Sequence, residues 1–114
     1  MRAQAGARDR RVAPRYFLEV PIRVRLWKSD VPEETSTCRD LSGSGALFST
    51  ELPVEFGTAI EVRLQMPEEI TGKEAAEWTC SAHVVRIEPQ REGRKRRIAV
   101  QFDCYEIARK DRAR

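Results

Sequence analysis

The sequence predicts a mainly β domain: a six-stranded antiparallel β-barrel with a flexible basic N-terminal arm and a short C-terminal helix. Three observations point there. Leu18, Val20, Ile22, Val24 and Leu26 alternate with polar residues or proline, and Ile60, Val62, Leu64 and Met66 do the same with polar residues. Period two over that length marks a strand with one buried face. About six such short segments follow one another, each bounded by turn-forming Gly, Pro, Asp or Ser. Finally, the chain has 114 residues, 40% of them hydrophobic, which suits one modest core and not two. Six short strands on one core close most easily as a small antiparallel barrel.

Residues 1–7 read as a flexible tail and residues 8–15 as a mobile arm, because the first fifteen residues carry Gly, Pro and charge with no apolar period. Pro14 biases Ala13 away from helix. From Tyr16 to Leu26 the pattern becomes a strand, and Pro21 suggests that part of it lies at a sheet edge. Asp30 to Glu34 is a turn. Thr35 to Leu41 is a short polar strand. Ser42-Gly43-Ser44-Gly45 follows as a tight turn with two residues free to take positive φ. Ala46 to Thr50 resumes as strand, and Leu52 to Gly57 is a loop. Ile60 to Met66 is the second clearly amphipathic strand. Pro67 to Ala76 is a polar connection with room for a helical turn. Trp78 to Glu88 is a strand of mixed alternation. Pro89 to Lys95 is a charged hairpin turn around Gly93, and Ile98, Val100 and Phe102 give the last strand. Asp103 is placed to cap a short helix over residues 105–114, so the barrel domain is expected to span residues 8–104.

Charge is segregated along the chain. Residues 1–28 hold eight basic and two acidic side chains, residues 29–90 four basic and twelve acidic, and residues 91–114 nine basic and four acidic. The net +3 therefore describes an acidic body with two basic ends. A protein that lies along nucleic acid spreads positive charge over a face. A local anion site fits this distribution better. No apolar run approaches the roughly 20 residues of a membrane span, and no export signal is visible, so a cytoplasmic location is expected. Cys38, Cys80 and Cys104 are odd in number and lack CxxC spacing. They read as reduced, mostly buried thiols rather than disulfide partners or metal ligands.

The sequence offers little to an enzyme. His83 is the sole histidine, lies mid-strand and has no motif around it, so a structural role is the stronger reading. Glu33-Glu34 and Glu68-Glu69 fall in predicted loops, where solvated charge explains them. Gly43 and Gly45 lack the Gly-Lys-Ser/Thr ending of a phosphate loop. No catalytic group, metal or cofactor is expected.

Two constellations remain. Arg10-Arg11-Val12-Ala13-Pro14-Arg15 precedes the first strand, and Asp40-Leu41-Ser42-Gly43-Ser44-Gly45 joins two strands. Each by itself is explained by a solvated arm or by turn geometry. Together, in this order and on this scaffold, they resemble the PilZ domain family, whose signature is RxxxR followed by [D/N]xSxxG. Arg11 and Arg15 match the first motif. Asp40, Ser42 and Gly45 match the second. The resemblance covers almost the whole chain from about Arg8, and Val84-Val85-Arg86-Ile87 with Ile98-Ala99-Val100-Gln101-Phe102 looks like the family's closing strands. Ala99 departs from the pattern, since glycine is common there.

The resemblance implies a barrel that binds cyclic di-GMP on its outer surface under the arginine arm. The residue chemistry agrees. A guanidinium holds a phosphate, or guanine O6 and N7, through paired hydrogen bonds. An aspartate accepts from the guanine Watson–Crick edge. Ser42 can donate to a phosphate or accept from a base, Gly45 admits a close approach of the ligand, and backbone N–H groups of the turn can form a small anion nest. In the family an arginine at the position of Arg10 often accompanies two stacked, intercalated ligand molecules. Arg86 could stack on a base, although a solvated strand residue is the plainer reading. The expected function is a non-catalytic receptor that changes conformation on binding and signals to a protein partner. A small nucleic-acid-binding barrel is the rival from another class, against which the acidic middle and the lack of an aromatic ladder count. A PilZ-like adaptor without ligand is a third reading, against which the five intact signature positions count.

Overall fold

The computed structural model describes residues 19–89 and 93–108. Its elements are β1 (Val20–Leu26), β2 (Glu34–Leu41), β3 (Gly45–Thr50), β4 (Ala59–Met66), α1 (Glu68–Thr71), β5 (Ala76–Ile87) and β6 (Arg96–Ile107). All paired strands are antiparallel, and the order β1-β2-β3-β6-β5-β4 closes because β1 also pairs with β4. The predicted six-stranded barrel is present.

Alternation builds the interior. Val20, Ile22 and Val24 of β1, Ile60 to Met66 at every second position of β4, and Trp78, Cys80, Ala82 and Val84 of β5 all point inward. Phe48, Ile98, Val100 and Phe102 complete the packing from β3 and β6. Each aliphatic side chain so buried contributes about 1.5–3 kcal/mol. Small residues such as Ala46, Cys80 and Ala82 sit among large ones, as a narrow barrel requires.

Three expectations are corrected. First, β1 is paired on both sides and is no edge strand. Pro21 is accommodated because the ladder to β4 begins one residue later, at Ile22. Second, the helix expected from residue 105 is strand as far as Ile107. The long β5 continues to offer partners, Cys80 to Tyr105 and Trp78 to Ile107, and the Tyr105 ring stacks on Trp78 with centroids 4.0 Å apart. Asp103 consequently caps nothing and lies in β6. Residues 109–114 fall outside the described part of the chain, as does the stretch of the predicted first strand before residue 19. Third, neither Gly43 nor Gly45 takes positive φ. Among the described glycines, Gly57, Gly72 and Gly93 do. Gly93, with φ 60°, is the hairpin glycine expected between β5 and β6.

The acidic pairs also differ from expectation. Glu34 opens β2, accepts a hydrogen bond from the fully buried Thr50 hydroxyl, and accepts another from the Glu51 amide at 3.0 Å. Glu33 pairs with Arg63 at 3.8 Å. Glu68 and Glu69 form the first turn of α1. Glu34 is therefore a structural anchor, and sequence spacing alone gives no sign of it.

The barrel has two distinct ends. At the turn end lie the start of β1, the Ser42–Gly45 turn, α1 and the end of β6. At the loop end lie residues 27–33, 51–58, 88–89 and 93–95. Leu52 and Val54 are buried against the core there, and Arg96 holds their loop by donating to the Val54 carbonyl at 2.9 Å.

Candidate ligand-binding site

The second motif forms the junction of β2 and β3 at the turn end. A β-bulge between Cys38 and Asp40 sets its geometry. Cys38 points into the core and Asp40 pairs across to Leu47, so one residue, Arg39, is inserted and Asp40 is carried to the outer face. The buried Cys38 thiol lies 3.4 Å from the Asp40 carbonyl and 3.5 Å from the Leu47 carbonyl, donating into the bulge from below. Burial raises the pKa of this thiol above its ordinary value, while its backbone hydrogen bonds lower it and the nearby Asp40 carboxylate raises it further. A neutral, donating thiol is the form that the bulge uses.

The turn is closed by the Ser42 amide donating to the Gly45 carbonyl at 3.0 Å. The Ser42 hydroxyl accepts from the Ser44 amide at 3.2 Å and lies 3.1 Å from the Ser44 hydroxyl. The Phe102 amide donates to the Ser44 carbonyl at 2.9 Å, which ties the turn to β6. The turn is thus held in place without any ligand. Its Ser42 and Ser44 amides are engaged within it, which narrows the predicted anion nest.

Gly45 has a role the sequence placed elsewhere. A Cβ there would sit 2.4 Å from the Val100 carbonyl oxygen on β6. The close approach that requires glycine is between two strands of the barrel, rather than only toward a ligand. Gly43, by contrast, has open space where a Cβ would stand.

The structure thus brings Asp40, Ser42 and Gly45 together on one outer face. Arg86 is not part of that cluster. Asp40, Leu47, Ala99 and Arg86 follow one another across β2, β3, β6 and β5, so Arg86 stands about 14 Å from Asp40 at about 4.8 Å per strand. Arg86 is well exposed and reaches Glu88 at 3.4 Å, in keeping with a solvated strand residue. Arg10, Arg11 and Arg15 lie outside the described residues.

Sequence reasoning missed the neighbours that register supplies. A groove of about 410 Å³ beside Asp40 is lined by Arg39, Ser49, Lys95 and Arg97. Arg97 is held there by Glu88 at 3.2 Å. On the other side of the motif, Gly45 pairs with Gln101, which pairs with His83. The Nδ1 of His83 lies 2.9 Å from Asp103 on the same surface. The Arg94–Arg97 run gave no hint of which members line the groove that Asp40 also lines; strand pairing places Arg97 there, opposite Ser49. Among the described residues no cluster of three or more His, Cys, Asp or Glu could hold a metal ion.

The family model for the PilZ domain matches residues 9–113, nearly the whole chain and both motifs. The chain belongs to the PilZ domain family. Among solved structures, this PilZ domain is similar to the Bacillus subtilis inhibitor of motility MotI/DgrA, with a TM-score of 0.63 and 20% sequence identity. The likeness covers 88% of this chain and 44% of that one, so this PilZ domain spans less than half the length of that protein and shares its fold. A comparison with curated proteins gives no match. Among the described residues no helix is long and apolar enough to cross a membrane.

Proposed function

We propose that this PilZ domain is a non-catalytic receptor for cyclic di-GMP that works in the cytoplasm and signals to a protein partner. The observation that carries the reading is the joining of Asp40, Ser42 and Gly45 on one ordered outer face of a chain whose first motif, Arg11 and Arg15, lies just ahead of β1. In this reading Asp40 accepts from the guanine edge, and the turn presents Ser42 beside the phosphates. Arg11 and Arg15 hold phosphate and guanine with paired hydrogen bonds. Arg10 supports a second, intercalated ligand molecule. Arg86 is a peripheral candidate for base stacking at most, because of its distance from Asp40.

The turn is pinned before ligand arrives, so the free-energy cost of binding falls on the arm. Ordering it opposes binding by about 1–2 kcal/mol for each residue fixed. The same ordering changes the surface that a partner meets, which makes binding a signal. Calorimetric titration of cyclic di-GMP into the protein, with Arg11→Ala and Asp40→Ala beside it, tests the reading. Binding to the parent chain that is lost in both variants supports it, and the molar ratio distinguishes one ligand from two. Absence of heat with the parent chain removes it.

A further inference from the structure

The loop end of the barrel carries the most exposed aromatic side chains among the described residues. Phe56 is 78% exposed and Trp27 50%. They sit on adjoining loops: the Trp27 amide donates to the Ala59 carbonyl at 3.1 Å, and Phe56 belongs to the turn closed by the Thr58 amide donating to Glu55. Neither ring packs on the core, and a soluble barrel gains nothing from exposing them. Val31, 37% exposed, lies on the same loop as Trp27.

We propose that this end of the barrel is a docking surface for a short segment of another protein that carries an apolar anchor and basic side chains. Four observations converge on that occupant. Asp30, Glu51 and Glu55 stand on these two loops and make no ion pair among the described residues; Glu51 also lines a groove with Arg94, Lys95 and Arg97, which leaves Asp30 and Glu55 as the carboxylates on the loops that carry the rings. The Lys28 ammonium stands 5.9 Å from the Trp27 ring centroid, so the ring face already receives a cation that a partner's arginine or lysine could replace. The first and last described residues, Glu19 and Ala108, lie at the other end of the barrel. The patch is also small: two half-exposed or better aromatic side chains offer about 300 Å², far below the roughly 800 Å² per partner of a stable dimer. A short linear segment fits that area and a second copy does not.

This surface goes beyond the nucleotide reading and stands whether or not the turn end binds ligand. The experiment therefore uses the full chain without nucleotide. Three synthetic peptides of about fifteen residues serve as probes: one of lysine and leucine, one of lysine and serine, one of glutamate and leucine. Binding is followed by backbone amide shifts and by Trp27 emission, since the other tryptophan, Trp78, is buried. The lysine–leucine peptide is expected to bind and to shift amides at Trp27 and Phe56. The Phe56→Ala variant should weaken it about tenfold, as a central aromatic anchor does. Glu55→Lys should weaken it as well, whereas Glu69→Lys, the same charge change on α1 at the far end, should not. Equal binding of the lysine–serine peptide, shifts centred away from Trp27 and Phe56, or no response to Phe56→Ala would overturn the proposal. Concentration-dependent sedimentation that Phe56→Ala abolishes would assign the surface to a second copy and overturn it too.

Discussion

The two ends of this barrel are built on opposite principles. At the turn end, four residues are tied down by their own hydrogen bonds and by the Phe102 amide, and a glycine is required because β6 presses against it. At the loop end, Leu52 and Val54 seal the core while Phe56 and Trp27 are turned out to water. One end presents a rigid polar turn, with the exposed Tyr105 and Ile107 on the end of β6. The other is an apolar surface edged with carboxylates. The contrast shows that rigidity and exposure can be assigned to opposite ends of the same strands, so that one end can be altered with little cost to the other.

The largest expected effect breaks the platform. Gly45→Val places a branched side chain against the Val100 carbonyl, which cannot yield without parting β3 from β6. It should lower stability by about 3 kcal/mol, the upper range for overpacking, read as a fall in thermal midpoint, with ligand binding lost as well. Gly43→Ala, two residues away, should be near neutral in the same assay, because nothing occupies that space.

Next comes the chemistry of the platform without its frame. Asp40→Ala should weaken cyclic di-GMP by about 1.5–3 kcal/mol, the range for a hydrogen bond to a charged group. A calorimetric affinity equal to the parent's would remove Asp40 from the site. A fourth substitution tests the part of β6 that runs on beyond β3. Tyr105→Ala removes the ring stacked on Trp78 and should cost about 1 kcal/mol of stability. Cyclic di-GMP affinity should hold in that variant.

The smallest effect is expected at the loop end. Phe56→Ala should change stability by no more than about 0.5 kcal/mol, as surface substitutions do, and should leave nucleotide affinity alone. A drop of several degrees in thermal midpoint would show that Phe56 belongs to the core seal, and the two ends would no longer be separable. Thiol labelling sharpens the same picture. Cys38 and Cys80 are buried and Cys104 is exposed, and burial together with the neighbouring Cys104 pushes the Cys80 pKa up to about 12. An alkylating reagent near pH 8 should modify one thiol in the folded chain and three in denaturant, counted by mass spectrometry.

Alternation in Val20–Val24 and Ile60–Met66 was enough to fix which side chains enter the core, because a strand's period of two leaves one choice once water is excluded. The turn after Leu41 and the short polar strand at Thr35 to Leu41 were legible for the same local reasons, whereas the positive φ expected at Gly43 and Gly45 is absent. The C-terminal helix was misjudged because Asp103 followed by Tyr105, Ile107 and Ala108 is locally compatible with helix. The pairing offered by β5, some twenty-five residues earlier in sequence, outweighed it. Closure of the sheet, the approach of Gly45 to Val100 and the groove that Arg97 shares with Asp40 are contacts between strands distant in sequence. Sequence by itself determined the strands from β1 to β5 and the residue types of the second motif, since propensity, period and side-chain chemistry are local. Only the tertiary structure decided register, and with it which neighbours the motif residues have, because register is set by packing the whole barrel at once.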